Sequence, residues 1–296
     1  MYQYVVVRSG STYHRKYPEF REKIIKFPLI HVFIAYKYVK GQRLNDEQLR
    51  EIYEGLKLNN INKYSYVLTG YCGNESFLLK IADIVKDVKA TNPEVIFVCD
   101  PVLGDNGKYY TPKELMPVYR DVIIPLADII APNTFELSEI SGQNIHNEKD
   151  CLKAIGIMHN KGVKTVIVTS GLEEENLLFC YGSSINDGIL IQYRFDIPKL
   201  PGMFVGTGDI FTSLLVVWLD KFHGNIKLAI EKVISSIQGL LRRTGEKLCV
   251  SYPLRSCLDV SELELKLVQS RADLLYPRFP IKVTMILKEE LRNHVF

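Results

Sequence analysis

Residues 95–99, Val-Ile-Phe-Val-Cys, are apolar without a break, and the chain then turns at Asp100-Pro101. A strand with one wet face alternates apolar and polar positions, so an unbroken run marks a strand buried on both faces of a parallel sheet. Residues 64–68 alternate and end at Thr69-Gly70-Tyr71. Residues 127–130 end at Ala131-Pro132-Asn133, and residues 165–168 at Thr169-Ser170-Gly171. Helical patterns separate these strands. Asn45-Asp46-Glu47 caps one helix, with Leu49, Ile52, Tyr53 and Leu56 at helical spacing. Residues 75–89 form a second with a broad apolar face, Thr111-Pro112 opens a third, and Thr134 starts a fourth. Residues 148–160 form a fifth, stopped near Gly162. Residues 177–181 and 189–195 read as an antiparallel pair. Helices are expected at 226–241 and 262–270, and a last strand at 281–287. Alternating strand and helix predicts one α/β domain: a mostly parallel, doubly wound sheet with helices on both faces. In such sheets ligands bind beyond the carboxyl ends of the strands.

Composition narrows the function classes. Across 296 residues the net charge is +3, with basic and acidic residues interleaved, so no nucleic-acid surface is expected. The six cysteines form no Cys-x-x-Cys pair, which argues against zinc and for buried thiols in a reducing compartment. The first ten residues lack a signal-peptide core. The apolar stretch at 210–219 is far shorter than the ~20 residues of a membrane span. A soluble, cytoplasmic protein with no membrane partner is expected.

The chemistry concentrates at Gly206-Thr207-Gly208-Asp209, which opens an apolar helix. Backbone N–H groups at a helix start favour an anion, and glycine lets a phosphate approach the backbone. Asp209 would lie beside that anion, placed to accept a proton from an attacking hydroxyl. Alone, the four residues read first as a glycine turn with an acidic first helical turn, and the other motifs decide between the two readings. Asp100 and Asp105 flank a Pro/Gly loop at a strand end and could hold a nucleotide's metal, or be ordinary turn residues. Asn133 and Glu136 could meet metal-bound phosphates or cap a helix. Thr169 and Ser170 offer hydroxyls to a phosphate or simply form a loop. The six histidines show no ligand spacing, and no Gly-x-x-x-x-Gly-Lys-Ser/Thr loop occurs.

Taken in order, Cys99-Asp100-Pro101-Val102-Leu103-Gly104-Asp105, Ala131-Pro132-Asn133-Thr134-Phe135-Glu136, Val168-Thr169-Ser170 and Phe204-Val205-Gly206-Thr207-Gly208-Asp209 resemble the signature series of the pyridoxal kinases, in the ribokinase-like superfamily. Supporting matches are Tyr36 with Lys40-Gly41-Gln42, residues 51–56, residues 62–71 ending in Leu68-Thr69-Gly70-Tyr71, and Leu265-Lys266-Leu267-Val268-Gln269-Ser270. The likeness spans about residues 36–270 of the chain. It implies ATP-dependent phosphorylation of the 5′-hydroxymethyl group of pyridoxal, pyridoxine or pyridoxamine. By it Asp209 is the base, and Gly206, Thr207 and Gly208 form an anion hole. Asp100 and Asp105 would serve Mg²⁺, or another divalent ion, and phosphate. Asn133 and Glu136 would lie near the metal-bound phosphates, and Thr169 and Ser170 would contact the nucleotide. Leu200-Pro201-Gly202 would border the adenine, Tyr110 would belong to a loop closing over ATP, and Tyr71 would line the vitamin pocket. A monovalent cation and a homodimer are also implied.

Residues 1–35 depart from the family pattern. The resemblance places a strand–helix–strand unit and a Ser-x-Gln-Ser segment there. Ser9 is the nearest counterpart to the family's ring-contacting serine, and Ile34 stands where it has threonine. A divergent or truncated segment 1–35 ahead of a kinase domain at 36–296 is expected, lacking part of that unit. The alternative is a kinase-like variant that binds nucleotide or dimerises without turnover.

Overall fold

The computed structural model describes residues 2–8, 24–31, 44–202, 204–251 and 264–291. Four strands make the parallel centre of a mixed sheet: β3 (Tyr66–Thr69), β4 (Ile96–Cys99), β7 (Ile129–Ile130) and β8 (Thr165–Glu174). On one side β9 (Leu177–Asn186), β10 (Ile189–Pro198) and β11 (Lys282–Glu290) continue it antiparallel. On the other, β1 (Tyr2–Arg8) and β2 (Ile24–His31) are also antiparallel. The order is β11-β10-β9-β8-β7-β4-β3-β1-β2. The expected strand–helix–strand unit is thus represented, among the described residues, by an antiparallel strand pair. β1 covers the outer edge of β3 from Val5 opposite Thr69 to Arg8 opposite Tyr66. The backbone groups of β3 therefore find partners on both sides. Ser9, Ile34, Tyr36 and residues 40–42 lie outside the described residues.

Adjacent residues on the central strands enter opposite cores. Val67, Phe97, Cys99, Ile130, Val166 and Val168 pack under α1 (Asp46–Leu58), α2 (Glu75–Thr91), α3 (Leu115–Val118), α4 (Thr134–Ser141) and α5 (Glu148–Asn160). Leu68, Val98, Ile129 and Ile167 pack under α6 (Thr207–Lys221) and α7 (Ile226–Ser251). This two-sided cover is why the run at 95–99 has no polar position.

Three local expectations need correction. Thr111 does not cap a helix: its N–H and hydroxyl both reach the Leu103 carbonyl, 3.3 and 3.2 Å away. That closes the hairpin of β5 (Gly104–Asp105) and β6 (Lys108–Tyr109), and α3 starts at Leu115 instead. Within 262–270 the described residues, 264–270, form turns rather than a helix. The Lys266 N–H donates to Thr244 Oγ1 of α7 at 3.2 Å, strapping this segment down, and α8 (Arg271–Leu275) follows. Thr169-Ser170-Gly171 is not a loop after the strand but an irregularity inside β8, where the register with β9 breaks between Val168 and Leu172. Gly171 has φ +121°, and a Cβ there would lie 1.7 Å from Thr134 Oγ1, so the bulge closes tightly over the start of α4. Among the described residues no helix is long and apolar enough to cross a membrane.

Candidate active site

The carboxyl ends of β3, β4, β7 and β8 deliver Tyr71, Asp100, Asn133 and Thr169 to one edge of the sheet. Because β9 reverses the chain and β10 reverses it again, β10 runs parallel to β8. Leu200-Pro201-Gly202, after β10, therefore reaches the same edge. The start of α6 meets it from the other face.

Asp100 is buried, 6% exposed, at the end of β4. Its Oδ2 accepts from the Thr212 hydroxyl at 3.4 Å. Burial, then the charges of Glu136 and Asp209, hold its carboxyl well above the usual carboxylate range, while the Thr212 bond pulls the other way. Asp209, in the first turn of α6, is half-buried and near enough for its charge to count at Asp100. Gly206 caps this helix at φ 87°, a left-handed conformation that suits glycine, and it brings no capping side chain. The first intrahelical bond runs from Ile210 N–H to Gly206 O, so the N–H groups of Thr207 and Gly208 precede it. Gly208 is exposed, with nothing within 4 Å of a hypothetical Cβ. An anion can thus approach the helix start, where the dipole favours it.

Asn133 and Glu136 form a reciprocal capping box on α4, with both bonds at 2.9 Å. The same two side chains hold the Asp100 loop. Glu136 Oε1 accepts from Leu103 N–H at 3.0 Å, and Asn133 Nδ2 donates to Gly104 O at 2.8 Å. Burial pushes the Glu136 carboxyl up to about 8, against the pull of the Asn133, Leu103 and Gly104 backbone groups. Asp105 sits half-buried on the hairpin, accepting from Asn106 N–H at 2.8 Å and Asn106 Nδ2 at 3.1 Å. Its charge and that of Glu136 reach the exposed Tyr110, whose phenol is raised by burial first. Thr169 N–H donates to Pro132 O at 2.9 Å, joining the β7 and β8 ends.

Three residues outside the sequence-based candidates join this edge. Thr212 is one turn after Asp209, a helical spacing that was readable. Phe204 lies 3.5 Å from the Cβ position of Gly202, and Leu265 lies 3.8 Å from that of Gly206. Phe204 is only two residues from Gly202, whereas Leu265 comes from a distant segment, and local pattern carries no sign of its meeting Gly206.

The donor chemistry suits a hard divalent cation. Carboxylate oxygens are its preferred ligands, and buried Asp100 has like-charged neighbours that a cation would relieve.

A family model for pfkB family carbohydrate kinases matches residues 42–232. The pyridoxal kinase of Homo sapiens is 40% identical over 267 residues, covering 85% of this chain and 85% of its own length. The chain belongs to the pyridoxal kinase family. The pyridoxal kinase of Arabidopsis thaliana is 39% identical over 251 residues, covering 84% of this chain and 80% of its own. Among solved structures, the pyridoxal kinase from Leishmania donovani in complex with ADP and pyridoxamine superposes with a TM-score of 0.78 at 28% identity. That match covers 86% of this chain and 85% of the Leishmania chain. The ribokinase-like fold read from the motif series is thereby established.

Proposed function

We propose that this chain transfers the γ-phosphoryl group of ATP to the 5′-hydroxymethyl group of pyridoxal, and likewise of pyridoxine and pyridoxamine. The observation that carries this reading is the meeting of Asp209, on an anion-favouring helix start, with buried Asp100 at a strand end. Asp209 accepts the proton of the substrate hydroxyl as its oxygen bonds to the γ-phosphorus. The bond from that phosphorus to the bridging oxygen breaks, and ADP leaves. The turn Gly206-Thr207-Gly208 faces the charge on the transferred group with N–H groups rather than side chains. Phosphoryl transfer relies mainly on positioning and charge neutralisation, so a single carboxylate base suffices.

Asp100 and Asp105 would hold Mg²⁺, which neutralises phosphate charge when bound. Glu136 and Asn133 act on the loop between them through Leu103 and Gly104, so their part is to shape this site. Thr169 and Ser170 face the nucleotide, Leu200-Pro201-Gly202 borders its base, Tyr110 belongs to the flap over it, and Tyr71 forms a wall of the vitamin pocket. The kinase domain occupies 36–296, and the chain works as a homodimer in the cytoplasm. Free buried thiols at Cys72, Cys99, Cys151 and Cys180 fit that reducing compartment.

The test is direct: purified protein, Mg²⁺-ATP and each vitamer, with the 5′-phosphate product followed by its absorbance. Turnover of pyridoxal is expected. Nucleotide binding by calorimetry without any product from the three vitamers would overturn the proposal.

A further inference from the structure

Thr212 is fully buried on α6, one turn past Asp209. Its Oγ1 lies 3.2 Å from the Gly208 carbonyl oxygen, 3.4 Å from that of Asp209 and 3.4 Å from Asp100 Oδ2. The first two contacts are what any helical threonine makes with the turn behind it. The third has no local explanation, for Asp100 is 112 residues away in sequence, on another element. This contact brings the hydroxyl of α6 to the buried carboxyl group at the end of β4. The hydroxyl therefore links the end of β4 to the glycine turn of α6.

We propose that Thr212 is a positioning residue for the phosphoryl transfer. It holds the Asp100 carboxylate in register with Gly208-Asp209, so that the group serving the divalent ion and the group taking the proton keep a fixed relation. The inference rests on the function proposed above. Thr212 touches neither substrate in this account and acts through Asp100. Partners of metal-ligating carboxylates govern metal affinity in this way.

Thr212→Val removes the hydroxyl at nearly constant volume, and Thr212→Ser keeps it. Binding of Mn²⁺ in the presence of ADP, read by electron paramagnetic resonance, reports on Asp100 without turnover. The valine variant should bind Mn²⁺ about tenfold more weakly and require correspondingly more Mg²⁺ for half-maximal rate. Its KM for pyridoxal should stay within about twofold, and serine should restore Mn²⁺ binding. Wild-type Mn²⁺ affinity in the valine variant, or equal loss in the serine variant, overturns the proposal. Should valine prevent folding, the Thr212→Ala and Thr212→Ser pair carries the same comparison. Failure of the wild-type chain to phosphorylate pyridoxal would overturn the function instead, and the Mn²⁺–ADP comparison would still judge Thr212.

Discussion

Asp209 is the residue on which the proposed chemistry turns. Asparagine in its place keeps the shape of the first turn of α6 and removes the proton acceptor. A positioned base contributes about 10²–10⁴ in rate, so Asp209→Asn should lower kcat by that factor with KM for ATP little changed. The loss of a carboxylate near the helix start costs stability only about 0.3–1 kcal/mol. Steady-state kinetics beside a urea titration separates the two effects. A kcat within tenfold of wild type would remove Asp209 from the role of base.

At the scale of elements, the same capping device serves two purposes in this chain. Asn45 and Gln48 box the start of α1, with bonds of 2.8 and 3.1 Å, at an exposed position. Asn133 and Glu136 box α4 but also reach Leu103 and Gly104 beneath the site. Asn45→Ala should cost about 1 kcal/mol and leave kinetics unchanged. Asn133→Ala loses both the cap and the Gly104 bond, about 1–2 kcal/mol, and should also raise KM for ATP. Equal kinetic behaviour of the two variants would mean that the Asn133 bond does not support the site. Both boxes were legible as cap signals, since Asn followed three residues later by Gln or Glu is local chemistry. The link from Asn133 to Gly104 was not, because it depends on two loops meeting. The same contrast explains the misreadings. Thr111-Pro112 has the sequence of a helix start, yet Leu103 eight residues earlier takes its hydroxyl and amide. Residues 264–270 have helical composition, but Thr244 claims the Lys266 N–H. Strand identity at 96–99 was readable because burial on both faces leaves its mark on every residue. The antiparallel seating of β1 against β3 leaves none, for strand direction is a property of the connection.

For the whole molecule, the sheet has a parallel centre flanked on both sides by antiparallel strands. His159 of α5 ties the helical layer to the β9–β10 flank. Its Nδ1 is 2.7 Å from the Val163 carbonyl oxygen, and its Nε2 is 2.8 Å from Ser183 Oγ on β9. Gln192 Nε2 on β10 donates to the same Oγ at 3.2 Å. A carbonyl can only accept, so Nδ1 carries the proton and Nε2 accepts from Ser183. Protonating Nε2 would turn that acceptor into a donor aimed at an oxygen already receiving from Gln192. Burial accordingly holds the imidazole below its ordinary 6.5. The unfolded chain then binds a proton near pH 6.5 that the folded chain refuses, so stability rises with pH through that range and falls below it. Glu136 acts in the opposite sense. Raised from 4.5 to about 8, it loses its stabilising contribution as pH increases between those values. A single melting curve mixes the two. Comparing wild type with His159→Gln at each pH cancels the Glu136 part. The stability difference between them should be greatest above pH 6.5 and shrink as pH drops toward 5, because only wild type meets the cost of an imidazole that has to stay neutral. Urea titrations at pH 5.5 and 7.5 measure it. A difference independent of pH would show that His159 supports the α5–β9 contact by packing alone.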